Sequence, residues 1–302
     1  MYLQYLQRNR YKRGGSVKYY IDCNKYSENS DDIHIVDVLQ EKNDVSVLQG
    51  VLSDNSITQR NIVVKIDRTN KTNQKEYNIG EKLYKNNVLG FIRYICLFPC
   101  YDDNKKTGKI CNAEKIEKYH KDVLVMPYLS EGSLRNHRWN ESNINSLKSL
   151  LIQVVMSSLQ AYVQLRFIHN DLHLDNLLIQ KTKKKEIEYT IFDKTYSVPV
   201  FGYKIVIADF GNSMIPVETA FQRYYWYDLL NVFTRINIDI PQHNHTKMIW
   251  NCEKIIAFCT HARDRNTDPI HALVLLHDIF HSIFMFDTLI PPTVKYNPDV
   301  FG

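Results

Sequence analysis

Hydrophobic and polar positions alternate in three segments near the start of the chain, IHIVDVL, VSVLQGVL and NIVVKID, between about residues 31 and 66. Each is bounded by Asn, Asp or Ser clusters, and a period of two predicts half-buried strands. The stretch TNQKEYNIGEKLYKNN then shifts to helical spacing of Tyr77, Ile79, Leu83 and Tyr84, with a stop at Asn86-Asn87. Two more apolar runs, GFIRYICLF and DVLVMPYL, flank the polar segment 101–121. The first 127 residues are thus expected to form a mostly antiparallel sheet with one helix. After Tyr128 the period changes. Residues 143–167, NINSLKSLLIQVVMSSLQAYVQLRF, predict a long helix apolar enough to be buried. Short strands follow around LLI, EYTIF and YKIVIADF, and then helices through WYDLLNVFTRI, KMIWNCEKIIAFC and IHALVLLHDIFHSIFMF. The expected fold class is α+β, a β-rich half followed by a helical half, which puts any shared cleft at the seam.

A chain of 302 residues is long enough for one large domain or two lobes. No apolar run reaches the roughly 18 residues of a membrane span, so no transmembrane segment is expected. The N-terminal MYLQYLQRNRYKRGG lacks the continuous apolar core of a secretory signal. A reducing compartment follows, and the six cysteines contain no CxxC pair. Cys96, Cys100, Cys111 and His120 fit no common zinc spacing, and buried free thiols are the expectation. The net charge of +5 is accounted for by Arg8, Arg10, Lys12, Arg13 and Lys18, with no acid among residues 1–20. This basic arm is expected to be a solvated terminus, with nucleic acid or an anionic surface as its alternative partner. KTKKKE at 181–186 is expected to be a solvated hairpin tip.

The chemistry concentrates in FIHNDLHLDNLLI, residues 167–179. Asp171 and Asn176 lie five residues apart, on a loop between the long helix and a short apolar strand. Thirty-three residues after Asn176, the strand KIVIADFGN ends in Asp209-Phe210-Gly211. An acid at a strand end followed by glycine suits metal binding, because glycine lets the backbone turn sharply away. Upstream, VVK places Lys65 on a strand, and Glu76 follows eleven residues later on the predicted helix. Glu81 competes with Glu76, which is preferred because Ile79 and Leu83 then follow at +3 and +7. Phosphoryl transfer from a nucleotide needs this inventory: a cation on the phosphates, acidic and amide metal ligands, and a carboxylate to orient the attacking hydroxyl.

Lys65, the helix Glu, LVMPYLSEGSL, HNDLHLDN and DFG, in that order, resemble the eukaryotic-type protein kinase superfamily over roughly residues 31–235. The resemblance implies a bilobal protein-kinase-like fold, with a basic arm at 1–30, a β-rich N-lobe at 31–127 and a helical C-lobe at 128–302. It also implies ATP and Mg²⁺ (or Mn²⁺) as cofactors and a protein substrate. Asp171 would be the catalytic base, Asn176 and Asp209 the metal ligands, Lys65 the phosphate anchor and Glu76 its helix partner. Met126 would guard the nucleotide pocket, with the backbone of Pro127, Tyr128 and Leu129 as the adenine-binding hinge. Asp228 in YYWYDLLNVF resembles the buried helix aspartate that braces the catalytic loop.

Four departures shape the expectation. The only glycine between residues 31 and 64 is Gly50, so the glycine-rich phosphate loop is missing and its turn reads QEKND. His173 stands where protein kinases carry a lysine; DLH resembles haspin-like kinases and the aminoglycoside and choline phosphotransferases. Imidazole can still donate to a developing phosphate charge. Asn170 replaces the arginine of HRD, which removes the usual reader of activation-loop phosphorylation. Asp228 follows Gly211 by only seventeen positions, without an Ala-Pro-Glu; IPVE is at best a remnant. The short activation segment, the insertion EYTIFDKTYSVPVFGYKIVI and the Asn-, Lys-, Ile- and Tyr-rich composition resemble atypical kinases of large DNA viruses. The expectation is an atypical serine/threonine protein kinase of viral type, acting in the host cytoplasm or in the virion. The alternatives are a non-catalytic kinase-like scaffold or virion protein, and a small-molecule phosphotransferase. His277 and His281 have metal-binding spacing without a third ligand, and are expected to be ordinary helix histidines.

Overall fold

The computed structural model describes residues 33–42, 45–54, 58–67, 72–100, 121–192, 194–216, 222–239 and 246–270. Outside them lie the basic arm, Asn43 and Asp44, Cys111, His120, Val217 and Glu218 of IPVE, and the C-terminal run with His277 and His281. The chain divides into two compact units: residues up to Gln74 with Tyr94–Tyr128, and Lys75–Arg93 with the residues from Leu129 on.

In the first unit the alternating segments form strands β1 (Ile33–Lys42), β2 (Val45–Asp54) and β3 (Thr58–Asp67), joined by β4 (Cys96–Cys100) and β5 (Lys121–Pro127). The sheet runs β1-β2-β3-β5-β4 and every pair is antiparallel. Ile62, Val64 and Ile66 share one face of β3 and pack with Leu52, Phe98, Val123 and Val125 into a dry core. Lys65 therefore points to the opposite face, half-buried, paired in register with Val47 and Leu124. Strand β1 departs from simple alternation. Its register slips between Ile35 and Asp37 and again between Val38 and Gln40, leaving Val36 and Leu39 as exposed bulge residues. Gly50 lies in the middle of β2, where an added Cβ would meet the His34 carbonyl oxygen at 2.9 Å. It serves strand packing, not a phosphate turn.

Helix α1 (Thr72–Lys85) starts on anchors from this sheet. Asp67 Oδ2 accepts from Thr72 N at 3.2 Å, while buried Asn73 donates through Nδ2 to the carbonyls of Lys65 (3.0 Å) and Asp122 (2.8 Å). The helix stops where predicted, with Asn87 in the left-handed region at φ 54°. The apolar run GFIRYICLF is divided: Cys96–Cys100 forms β4, while Phe91 makes a bridge to Ile207.

In the second unit a short 3-10 turn capped by Asn140 leads into helix α2 (Ile144–Leu165). Strands β6 (Leu177–Lys181) and β9 (Tyr203–Ile207) pair antiparallel, as do β7 (Glu186–Ile191) and β8 (Lys194–Pro199). Helices α3 (Gln222–Asp239) and α4 (Thr246–Asp264) pack together, with Trp226 edge-on to Phe258 at 5.7 Å. Helix α2 is buried as predicted, but not on apolar faces alone. Ser146, Ser149, Gln153, Ser157 and Gln160 form a buried polar row at helical spacing. Ser146 and Ser149 donate to the carbonyls of Phe201 and Pro199; Gln153 accepts from Ile205 N at 2.8 Å; Gln160 donates to Thr190 O at 3.2 Å. The row fastens the inserted β7–β8 hairpin and β9 to the helix, and leaves those buried backbone groups paired. KTKKKE does not turn a hairpin. It links β6 to β7, which belong to different sheets, whereas the hairpin is formed by β7 and β8. Among the described residues no helix is long and apolar enough to cross a membrane.

Candidate active site

Lys65, Met126, Pro127 and Tyr128 belong to the first unit, and Glu76, Leu129, Asp171, His173, Asn176 and Asp209 to the second. Met126 is buried at the end of β5, paired with Val63, and Tyr128 N donates to Asn61 O at 3.1 Å. Glu76 is fully buried on α1, whereas Glu81 carries an ordinary i,i+4 ion pair with Lys85 at 3.5 Å.

The polar loop begins where α2 ends. Arg166 caps the helix in the left-handed region at φ 57°, and its N–H donates to Tyr162 O at 2.7 Å. Ile168 and Met214 then exchange two backbone hydrogen bonds of 2.9 Å, which closes the loop onto the segment after Asp209-Phe210-Gly211. Beneath it Asp228 from α3 accepts three backbone N–H groups: His169 at 2.9 Å, Asn170 at 3.0 Å and Leu172 at 3.3 Å. Asn231, one turn on, donates to Leu172 O at 2.8 Å. Burial pushes the Asp228 carboxyl up to about 7 against the pull of its three donors. Buried His169 donates through Nε2 to Ala208 O at 3.0 Å, and loss of solvent lowers its imidazole to about 4. Its ring sits edge-on to Phe210, within a cluster with Phe91 and Phe167 that fixes the Asp209-Phe210-Gly211 turn.

On this frame four of the predicted residues, Asp171, His173, Asn176 and Asp209, lie close together. Asn176 Nδ2 donates to Asp171 O at 2.9 Å, and the Asn176 carbonyl accepts from Ala208 N at 3.0 Å, next in sequence to Asp209. Asp209 (φ 66°) and Asn170 (φ 60°) both occupy the left-handed region, which Asp and Asn tolerate better than other side chains and which recurs at functional sites. His173 Nε2 stands 3.9 Å from Asp171 Oδ1 and 3.3 Å from Asn176 Nδ2. Three side chains escaped the sequence reading. Asn212, directly after the DFG, donates to Asp171 Oδ2 at 3.0 Å; Asp175 lies 3.6 Å from His173 Nδ1; Arg135 Nε donates to Asp175 at 2.9 Å. The adjacent asparagine in DFGN and the extra acid in DLHLDN were their only signals. Among the described residues, no group of three or more His, Cys, Asp or Glu is arranged around a metal position. A divalent ion here would rest on few protein ligands, the habit of Mg²⁺ shared with phosphates.

Part of the chain is similar to known proteins. The ABC1 atypical kinase-like domain family matches residues 115–240. Mouse serine/threonine-protein kinase haspin is 39% identical over 74 residues, 24% of this chain and 10% of haspin. Protein 098R of Invertebrate iridescent virus 6 is 38% identical over 76 residues, 24% of this chain and 13% of the viral protein. A probable serine/threonine-protein kinase of Dictyostelium discoideum is 32% identical over 105 residues, 32% of this chain and 9% of that kinase. The chain thus spans only about a tenth of the length of these relatives. The matches support a protein-kinase-like superfamily, an α+β kinase-like domain and a kinase-type phosphotransferase.

Proposed function

We propose that the chain is an ATP- and Mg²⁺-dependent serine/threonine protein kinase of atypical, viral type with a bilobal kinase fold. The observation that carries the reading is the junction in which Asn176 bonds Asp171 O through its amide and Ala208 N through its carbonyl, with Asp209 next in line. The donor set fits a hard cation. With Nδ2 committed to Asp171 O, Oδ1 is the Asn176 atom left for a metal, and the Asp209 carboxylate supplies the charge. When bound, Mg²⁺ supplies charge neutralisation at the phosphate oxygens. Lys65 anchors the phosphates of ATP, with Glu76 as its helix partner, and the backbone from Pro127 to Leu129 holds the adenine beside Met126. Asp171, steadied by Asn212, orients the substrate hydroxyl and accepts its proton; His173 lines the same rim. Similarity to an iridescent virus protein supports the viral assignment, and with it action in the host cytoplasm or the virion.

The absence of glycine at the β1–β2 turn favours a second reading, a kinase-like scaffold without turnover. One experiment separates the two. Purified protein is incubated with labelled ATP and Mg²⁺ or Mn²⁺ and offered itself, basic proteins and acidic proteins, beside Asp171→Asn and Asp209→Asn. The expected outcome is label on protein hydroxyls, reduced at least about 100-fold in both variants. Absence of transfer together with absence of an ATP-dependent thermal shift would establish the scaffold.

A further inference from the structure

Asp175 and Arg135 have no part in the reading above, yet they complete a chain of contacts that ends on a proposed metal ligand. Arg135 Nε donates to Asp175 Oδ2 at 2.9 Å. The same oxygen lies 3.6 Å from His173 Nδ1, a buried nitrogen with no hydrogen-bond partner. On the far side of the ring, His173 Nε2 is 3.3 Å from Asn176 Nδ2, an amide nitrogen that also donates to Asp171 O at 2.9 Å. The donors and acceptors allow one consistent assignment. An amide nitrogen can only donate, so Nε2 is the unprotonated acceptor. A neutral ring then carries its proton on Nδ1, facing the carboxylate of Asp175. The amide orientation is fixed independently of the ring, because a flip would set the Asn176 oxygen against the Asp171 carbonyl oxygen, 2.9 Å from the present nitrogen.

We infer that Asp175, clamped by Arg135, is a positioning residue. It holds His173 in the Nδ1–H tautomer, and His173 in turn holds the Asn176 amide with its nitrogen inward and its oxygen presented to the cation. The carboxylate acts through the imidazole, as acids behind metal-site histidines do, here one residue further from the ion. This rests on the kinase reading only for its consequence, not for its geometry.

The test uses the full chain labelled with ¹⁵N-histidine, and long-range ¹H–¹⁵N correlations at one fixed neutral pH. His173 is assigned by its loss in His173→Gln. In the wild type its Nδ1 should report a protonated ring nitrogen and its Nε2 an unprotonated one. Asp175→Ala should move the ring toward the Nε2–H form, Asp175→Glu should restore the wild-type pattern, and Arg135→Gln should shift it part of the way. In parallel, the Mg²⁺ concentration giving half-maximal phosphoryl transfer should rise about tenfold in Asp175→Ala and recover in Asp175→Glu. An Nε2–H ring in the wild type, or one unmoved in both Asp175→Ala and Arg135→Gln, would overturn the inference. Because the ring spectrum needs no turnover, it stands if no transfer is ever detected. Transfer with an unmoved ring removes this inference alone.

Discussion

Two buried ionisable side chains support the loop from Phe167 to Asn176 and make opposite demands on pH. His169 is held at about 4, below its ordinary 6.5, so the fold prefers the neutral ring. Its contribution to stability is present above pH 6.5 and is lost as pH falls toward 4. Asp228 is raised from 3.8 to about 7, so the fold prefers its protonated form. Its contribution is present below pH 3.8 and is lost as pH rises through 7. Across the shared window the two slopes oppose, and the wild type should show little net dependence from this pair. Asp228→Asn should unmask His169: the thermal midpoint should climb between pH 4.5 and 6.5, reflecting on the order of 3 kcal/mol at about 1.4 kcal/mol per pH unit. His169→Gln should reverse the slope. A midpoint in Asp228→Asn that stays level across this window would contradict the opposition. Residues at this scale differ in how far the sequence reveals them. That Asp171, Asn176 and the Asp209 turn lie together was legible, because the motifs carrying them stand in the order of the superfamily they resemble. Asp175 and Arg135 were not, because a side-chain bond between positions 40 residues apart leaves no period along the chain.

Elements were legible where one face is buried and the other is wet. The strands of the first unit and helices α1 to α4 follow from alternation and helical spacing. What periodicity missed is instructive. In α2 the row from Ser146 to Gln160 looks like ordinary surface polarity, yet it is buried because the inserted hairpin brings backbone groups that need partners. The bulges of β1 add a residue without changing composition, and so leave no trace in the pattern. Gly90 shows how tightly α2 is approached. It lies at φ +81°, and an added Cβ would come within 2.0 Å of Ser157 Oγ and 2.8 Å of Ser157 Cβ. Gly90→Ala combines a left-handed backbone penalty of about 1 kcal/mol with that overlap, and should cost about 2 kcal/mol or more. Ser157→Gly clears the overlap but leaves the dihedral strain. In a double-mutant cycle by urea denaturation the pair should therefore couple favourably by at least about 1 kcal/mol. Additive costs would mean that the neighbouring chain simply moves aside.

At the scale of the whole molecule, the proposed kinase lacks the parts by which phosphorylation usually sets activity. Asn170 replaces the arginine that would read a phosphate, and only sixteen residues lie between Gly211 and Asp228. The structure shows what occupies that place. Asn170 Nδ2 reaches Asn212 O at 3.4 Å, Asn212 Nδ2 holds Asp171 Oδ2 at 3.0 Å, and Ser213 Oγ donates to His169 O at 3.0 Å. Neutral amides and a hydroxyl thus fasten the loop to the segment after the DFG. With Asn170 in place of the phosphate-reading arginine, the proposed kinase should be active as translated. Protein treated with a broad phosphatase, repurified and assayed for transfer should match untreated protein within about twofold, with absence of phosphate verified by intact mass. Asn212→Ala should fall about tenfold in kcat at unchanged KM for ATP, because it frees the Asp171 carboxylate without touching the nucleotide. A tenfold loss on dephosphorylation that returns after incubation with ATP would show a phosphate-reading switch, and would shift attention to basic residues outside this asparagine-linked loop.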